Sequence, residues 1–248
     1  PGRSQQLDCA VMLADLRGSS RVAETLSPSE AYELLAQFFE FVTPLVGRHG
    51  GFIDKFLGDG LLAVFDEPGK YPAQAQACAR EIVAVARAFS GQVGGRVIKP
   101  EGWRVGIGIA SGGVTLGTIG CPDRVEITVL GNTVNTASRL EETCKHLGCE
   151  VLVDASLGGA EASCRPLGLV PLRGKDHLAP VGQLLFLDDA DLAPASALRE
   201  VSERQRGGDL KVVLEDLRGL VAAWPEDRVL GRVLELWENH LDQRAESA

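Results

Sequence analysis

Paired-cysteine motifs, histidine metal motifs, a basic excess and a convincing membrane span are all missing from this sequence. Cys9, Cys78, Cys121, Cys144, Cys149 and Cys164 are scattered without a CxxC pair. Several sit in apolar runs where a free thiol packs as a small hydrophobe, so a reduced, cytoplasmic setting is expected. His49, His146, His177 and His240 form no HExxH and no zinc spacing, so any metal must be held mainly by oxygen. With 25 Lys and Arg against 34 Asp and Glu, the net charge is -9. That excludes a broad phosphate-backbone surface and disfavours nucleic acid as a partner, while leaving room for a local basic cluster around a small anion. Val105 to Pro122 carries no charge, but its six glycines and its alternation make it a poor membrane span. GIGIASGG misses the dinucleotide-binding spacing, and there is no P-loop. No signal-peptide pattern is visible, and the chain opens on Pro1 rather than Met, so upstream regulatory regions are an expectation.

What is present is an ordinary globular composition, 45% hydrophobic and 24% charged over 248 residues, enough for one large domain and a small appendage. CAVMLADL, Cys9 to Leu16, reads as a buried strand with Asp15 near its end. Ser27-Pro28-Ser29-Glu30 is a capping box with proline at the first helical position, and the apolar period that follows runs to Gly50-Gly51. Strands are expected at 52–56 and 61–65 around an Asp-Gly turn, and a second helix at 72–89. Residues 104–109 and 114–119 read as an antiparallel pair in which Gly106 and Gly108 mark a close approach by another element. A short strand at 126–130 precedes a helix over 132–147, closed by Gly148. Rim strands are expected at 150–154, 169–173 and 183–187. This order predicts a ferredoxin-like α+β fold, an antiparallel sheet with helices. After Leu187 the composition shifts to a linker, DDADLAPASA, then to two amphipathic helices around Trp224-Pro225.

Two acids stand out by position. Asp15 ends the first strand and Asp59 sits in the Asp-Gly turn of DKFLGDGLLAVF; if these strands pair, their carboxylates converge at one sheet edge. Each alone is an ordinary strand-end or turn acid. Together they suit Mg²⁺ or Mn²⁺, with substrate phosphates completing the shell. Asn135 and Arg139 lie four apart on one helix face, an amide and a guanidinium suited to a ribose oxygen and a developing phosphoryl charge. Taken singly, these two, Lys55 and Thr128 are ordinary surface or strand residues.

As an ordered set, LADLRGSS, DKFLGDGLLAVF and ITVLGNTVNTASRLE strongly resemble the class III nucleotidyl cyclases, the adenylyl and guanylyl cyclase family, over about residues 8 to 187. The resemblance implies two divalent metal ions (Mg²⁺ or Mn²⁺) bound by Asp15, Asp59 and the Leu16 carbonyl. It implies purine-edge reading by Lys55 and Thr128, with threonine similar to the bacterial, bicarbonate-responsive subset that uses ATP. Asn135 would orient the ribose and Arg139 would stabilise charge on the α-phosphate. Lys175, in the LRGK stretch, would meet the terminal phosphates. The implied reaction is ATP to 3′,5′-cyclic AMP and pyrophosphate, in a homodimer whose sites lie at the interface. A guanylyl or pyrimidine nucleotide cyclase and a non-catalytic nucleotide-binding module are the alternatives. Ser19 stands where the family usually has phenylalanine, and Asn132 where an aspartate is common; both leave nucleotide selectivity open. The expected division is a catalytic domain at 1–187 and a linker with a tetratricopeptide-like helical tail at 188–248.

Overall fold

The apolar run that ends in Asp15 forms β1 (Ser4–Leu16), longer than its sequence signal because its polar N-terminal half also pairs. In the computed structural model the described residues are 4–99, 101–121, 124–157, 164–172, 179–186, 192–205 and 210–246. They fall into two units, Pro1–Glu141 and Glu142–Ala248.

The first unit continues with a short α1 (Ser19–Ala23), then α2 (Pro28–Arg48), β2 (Gly51–Leu57), β3 (Gly60–Phe65) and α3 (Tyr71–Ala88). A small hairpin of β4 (Gly91–Val93) and β5 (Arg96–Ile98), unforeseen in the sequence, leads to β6 (Val105–Cys121), β7 (Arg124–Leu130) and α4 (Asn132–Leu147). The sheet runs β2-β3-β1-β6, with β7 added on β6, and every pairing is antiparallel. The α+β fold expected from the sequence is the fold observed.

The start of α2 is the capping box read from the sequence: Ser27 N–H donates to Glu30 Oε2 at 2.9 Å, and Glu30 N–H donates to Ser27 Oγ at 3.3 Å. Together they satisfy two amide donors that a helix start leaves orphaned. The core of this unit joins Cys9 to Met12 of β1, Ala63 to Phe65 of β3, and Ile107 and Ile109 of β6 to Ala75, Cys78, Ala79, Ile82 and Ala86 of α3. The α3 residues recur at helical spacing, which lays one stripe on the sheet. Each large aliphatic buried this way contributes about 1.5–3 kcal/mol. Burial pushes the thiols of Cys9 and Cys78 up to about 11 and about 12, so they behave as packing groups. All six cysteines are free.

One expectation is corrected. Residues 104–109 and 114–119 are not an antiparallel pair but parts of the single strand β6, in register with β1 from Leu16↔Val105 to Ser4↔Gly117. The Gly112-Gly113 step, with Gly112 at φ 148°, carries the strand onward instead of reversing it. Its hairpin partner is β7.

In the second unit, β8 (Val151–Asp154), β9 (Cys164–Val170) and β10 (Ala179–Leu184) pair antiparallel in the order β8-β10-β9. Among the described residues three helices follow where the sequence reading expects two: α5 (Ala195–Gln205), α6 (Leu210–Ala223) and α7 (Arg228–Glu246). Asp227 caps α7, accepting from Leu230 N–H at 3.1 Å, and is fully buried against Arg165 of β9, with contacts of 2.5 and 3.0 Å. Among the described residues, no helix is long and apolar enough to cross a membrane.

Candidate active site

Two clusters of polar side chains lie along the β2–β3 hairpin. At its tip, Asp59 occupies the turn, and the register sets Asp15 of β1 opposite Gly60, the next residue. A methyl group added at Gly60 would stand 2.7 Å from the Ala14 carbonyl oxygen and 3.3 Å from Asp15 Oδ1. Only glycine therefore lets the acidic end of β1 lie against the turn. The Asp15 side chain is 37% exposed, and the Arg17 guanidinium lies 3.9 Å from its carboxylate. Arg17 is tied elsewhere: it donates to the Glu141 carbonyl at 2.9 Å and pairs with the Glu141 carboxylate at the same distance. Its guanidinium lies over Gly106, where a Cβ would collide with it. Ser19, first residue of α1 and nearly buried, donates its hydroxyl to Asp59. The departure from the family's phenylalanine therefore makes the wall of this edge polar. Leu16 ends β1 with its side chain in the core.

The donor set is two carboxylates with a backbone carbonyl nearby, all hard oxygen, which fits Mg²⁺ or Mn²⁺. Among the described residues, no group of three His, Cys, Asp or Glu gathers to hold a metal. A carboxylate pair of this kind suits ions whose remaining positions are filled by substrate phosphate oxygens.

The second cluster lies midway along β2. Register between β2 and β3 slips between Ile53 and Lys55, leaving Asp54 as the extra residue of a bulge. In a regular strand Asp54 and Lys55 would point to opposite faces. Here both address β7. Thr128 Oγ1 donates to Asp54 Oδ2 at 3.0 Å, Val129 N–H donates to Asp54 Oδ1 at 3.2 Å, and Lys55 Nζ is 3.7 Å from Asp54 Oδ2. Lys55 Nζ also donates to Glu126, and that hydrogen bond holds its ammonium above the ordinary lysine value. The Asp54 side chain is 2% exposed, that of Lys55 28%. Lys55 and Thr128, distant in sequence, thus belong to one cluster, and Asp54, which joins them, is a residue that the sequence reading misses. Its signal is there all the same: two adjacent charges, Asp54-Lys55, interrupt an otherwise apolar strand.

Asn135 and Arg139 lie on the exposed and half-buried side of α4, one turn apart. The helix is brought close to the sheet at Gly108, where a Cβ would fall 2.1 Å from the Ala137 carbonyl oxygen. The glycine alternation read from the sequence therefore has two partners: Arg17 over Gly106 and α4 over Gly108. Asn132 opens α4, and its carbonyl accepts the Thr136 hydroxyl at 2.8 Å. Lys175 lies outside the described residues.

A family model described as the adenylate and guanylate cyclase catalytic domain matches residues 3–180. The chain belongs to this family. An uncharacterised protein of Mycobacterium tuberculosis is 34% identical over 184 residues, which are 71% of this chain and 31% of that protein. An adenylate cyclase of Anabaena cylindrica is 32% identical over 148 residues, 59% of this chain and 29% of that enzyme. The chain thus spans about a third of the length of the curated relatives it matches. The crystal structure of the adenylyl cyclase CyaB from P. aeruginosa shares the fold with a TM-score of 0.61 at 23% identity, covering 77% of this chain and 100% of that one.

Proposed function

We propose that this chain is an adenylyl cyclase acting as a homodimer, converting ATP to 3′,5′-cyclic AMP and pyrophosphate. The observation that carries the reading is the double use of one hairpin: its tip carries Asp59 next to Gly60, the register partner of Asp15, and its bulge brings Lys55 and Thr128 to the same residue, Asp54. A cyclase needs both an oxygen-lined edge for a metal-bound triphosphate and a polar cluster for a base. In this reading Asp15, Asp59 and the Leu16 carbonyl hold two divalent ions, Mg²⁺ or Mn²⁺. Such ions, when bound, acidify the ribose 3′-hydroxyl and offset the charge of the triphosphate. Lys55 and Thr128 read the adenine edge, and Asn135 orients the ribose so that its 3′-oxygen faces the α-phosphate. Arg139 stabilises the negative charge that builds on the α-phosphate oxygens as that bond forms and pyrophosphate leaves. Lys175 meets the terminal phosphates. The carboxylates of one protomer face the base, ribose and transition-state groups of its partner, so each dimer has two equivalent sites. Residues 1–187 supply the catalytic domain and 188–248 a helical tail.

The test is direct. Purified dimeric protein is given ATP, GTP, CTP and UTP separately, each with Mn²⁺ and with Mg²⁺. Cyclic AMP from ATP is expected as the main product. No cyclic nucleotide from any of the four overturns the reading.

A further inference from the structure

Adenine presents an amino donor at its 6-position and guanine a carbonyl acceptor. A lysine beside the base distinguishes them weakly, because its ammonium only donates and both bases offer it an acceptor. A threonine hydroxyl is ambivalent, since it donates one proton and accepts through its lone pairs. Thr128 alone therefore gives no reason to prefer either purine.

The surroundings of Thr128 remove that ambivalence. Asp54 is held on the bulge with its carboxylate buried, one oxygen taking the Val129 amide proton at 3.2 Å and the other the Thr128 hydroxyl proton at 3.0 Å. An ionised carboxylate only accepts, so in this bond the hydroxyl must be the donor. The alternative acceptor for that proton, the Val129 carbonyl, is 3.5 Å away. With its one proton committed, Thr128 Oγ1 has only lone pairs left for a ligand. It then matches the amino group of adenine and is mismatched to the carbonyl of guanine. The bulge is what places Asp54 there, and bulges recur where a side chain is re-aimed beside a site.

We propose that Asp54 is a positioning residue that sets nucleotide choice, by fixing the Thr128 hydroxyl as an acceptor for the 6-amino group of ATP. This rests on Lys55 and Thr128 being the base-reading pair. An asparagine at 54 can turn its amide so that it donates to Thr128 Oγ1, which frees the threonine proton to donate to guanine.

The test uses binding, so it does not require turnover. ATP and GTP compete against a fluorescent nucleotide analogue on wild type, Asp54→Asn, Asp54→Ala, Thr128→Val and the double variant Asp54→Asn with Thr128→Val, with folding checked by circular dichroism. Wild type is expected to prefer ATP. Asp54→Asn or Asp54→Ala, whichever folds, should cut the ATP over GTP preference about tenfold, the effect of one exchanged hydrogen bond. The decisive feature is coupling: in the Thr128→Val background the change at 54 should have no further effect on the preference, because its route is gone. A preference unchanged in both single variants at 54, or an undiminished effect of Asp54→Asn without the Thr128 hydroxyl, overturns the proposal. A wild type that binds GTP better than ATP overturns it too. The two readings fail separately: a wild type that cyclises ATP but whose preference ignores Asp54 sinks only the inference. A wild type that discriminates through Asp54 yet forms no cyclic product sinks only the cyclase assignment.

Discussion

The middle of β2 and the tip of the β2–β3 hairpin, where β1 ends, treat their carboxylates in opposite ways. At the bulge, Asp54 is buried and turned toward partners inside the fold, Thr128, Val129 and Lys55. At the tip, Asp15 is more than a third exposed, and Asp59 sits in a turn with a serine hydroxyl on it. A buried carboxylate must be satisfied by its neighbours or it destabilises the fold, whereas an exposed one can exchange its partners for a ligand. The bulge is thus a fixed polar template and the tip an exposed oxygen edge. The difference accords with the chemistry proposed for each, base reading by fixed donors and acceptors, and metal binding by oxygens within reach of solvent.

The strongest way to break this comparison is at the tip. Asp59→Asn keeps the shape of the side chain and an oxygen to accept the Ser19 hydroxyl, so the fold should be nearly untouched and the melting temperature nearly unchanged. Turnover should fall about a thousandfold, corresponding to ~4 kcal/mol of lost stabilisation of the transition state. The preference for ATP over GTP in binding should stay as in wild type. Activity and binding measured on the same preparation check all three, and a variant that loses base preference while keeping turnover would reverse the roles assigned to the bulge and the tip.

A control on what burial alone does comes from the second unit. Asp227 and Arg165 are both fully buried, joined by two contacts, with Arg165 Nε also donating to Gln183 at 2.9 Å and Asp227 accepting from the Ala193 amide at 3.1 Å. Burial by itself raises the Asp227 carboxyl, but the Arg165 hydrogen bonds and charge, with the Leu230 and Ala193 amides, together outweigh it and hold the group below the ordinary 3.8. A lowered folded value means that this stabilisation is full above the unfolded carboxylate's titration and is lost as pH falls below 3.8 through the folded value. Asp227→Asn leaves a buried guanidinium uncompensated and should cost about 3 kcal/mol, read by denaturant unfolding. It should also flatten the acid limb of stability against pH. If the variant matches wild-type stability at neutral pH, the pair is not what holds this region.

How much of this is legible in the sequence follows from the range of each signal. The capping box before α2, the close of α4 at Gly148 (φ 72°) and the strand ending at Asp15 are set by neighbours a few residues away, and each stands where the sequence puts it. The meeting of Asp15 with the Asp59 turn is also readable, because an Asp-Gly turn and a strand-end acid leave few ways to pair. β6 is easily mistaken for a hairpin because Gly112-Gly113 looks the same whether the chain reverses or continues, and only its long register with β1 decides. Asp54 is hidden for a related reason: a bulge arises from pairing, and its partner Thr128 lies 74 residues away. Asp227 looks like part of a turn because its partner Arg165 is 62 residues distant.

The smallest expected effect sharpens the contrast at the bulge itself. Lys55 donates to Glu126, whose side chain is half exposed, as well as facing Asp54. If Lys55 reads the base, Glu126 competes with the nucleotide for the same ammonium, and an exposed acid is a weak competitor that solvent screens. Glu126→Gln keeps the size and an acceptor while removing the charge. It should therefore lower KM for ATP by about two- to threefold, within the range of an exposed ion pair, with kcat and the ATP over GTP preference unchanged. The gain should shrink as salt rises, because screening weakens the wild-type competitor and leaves the variant as it was. A Glu126→Gln enzyme whose KM rises instead would mean that the carboxylate aims Lys55 at the base, and Glu126 would then belong with Asp54 to the fixed template.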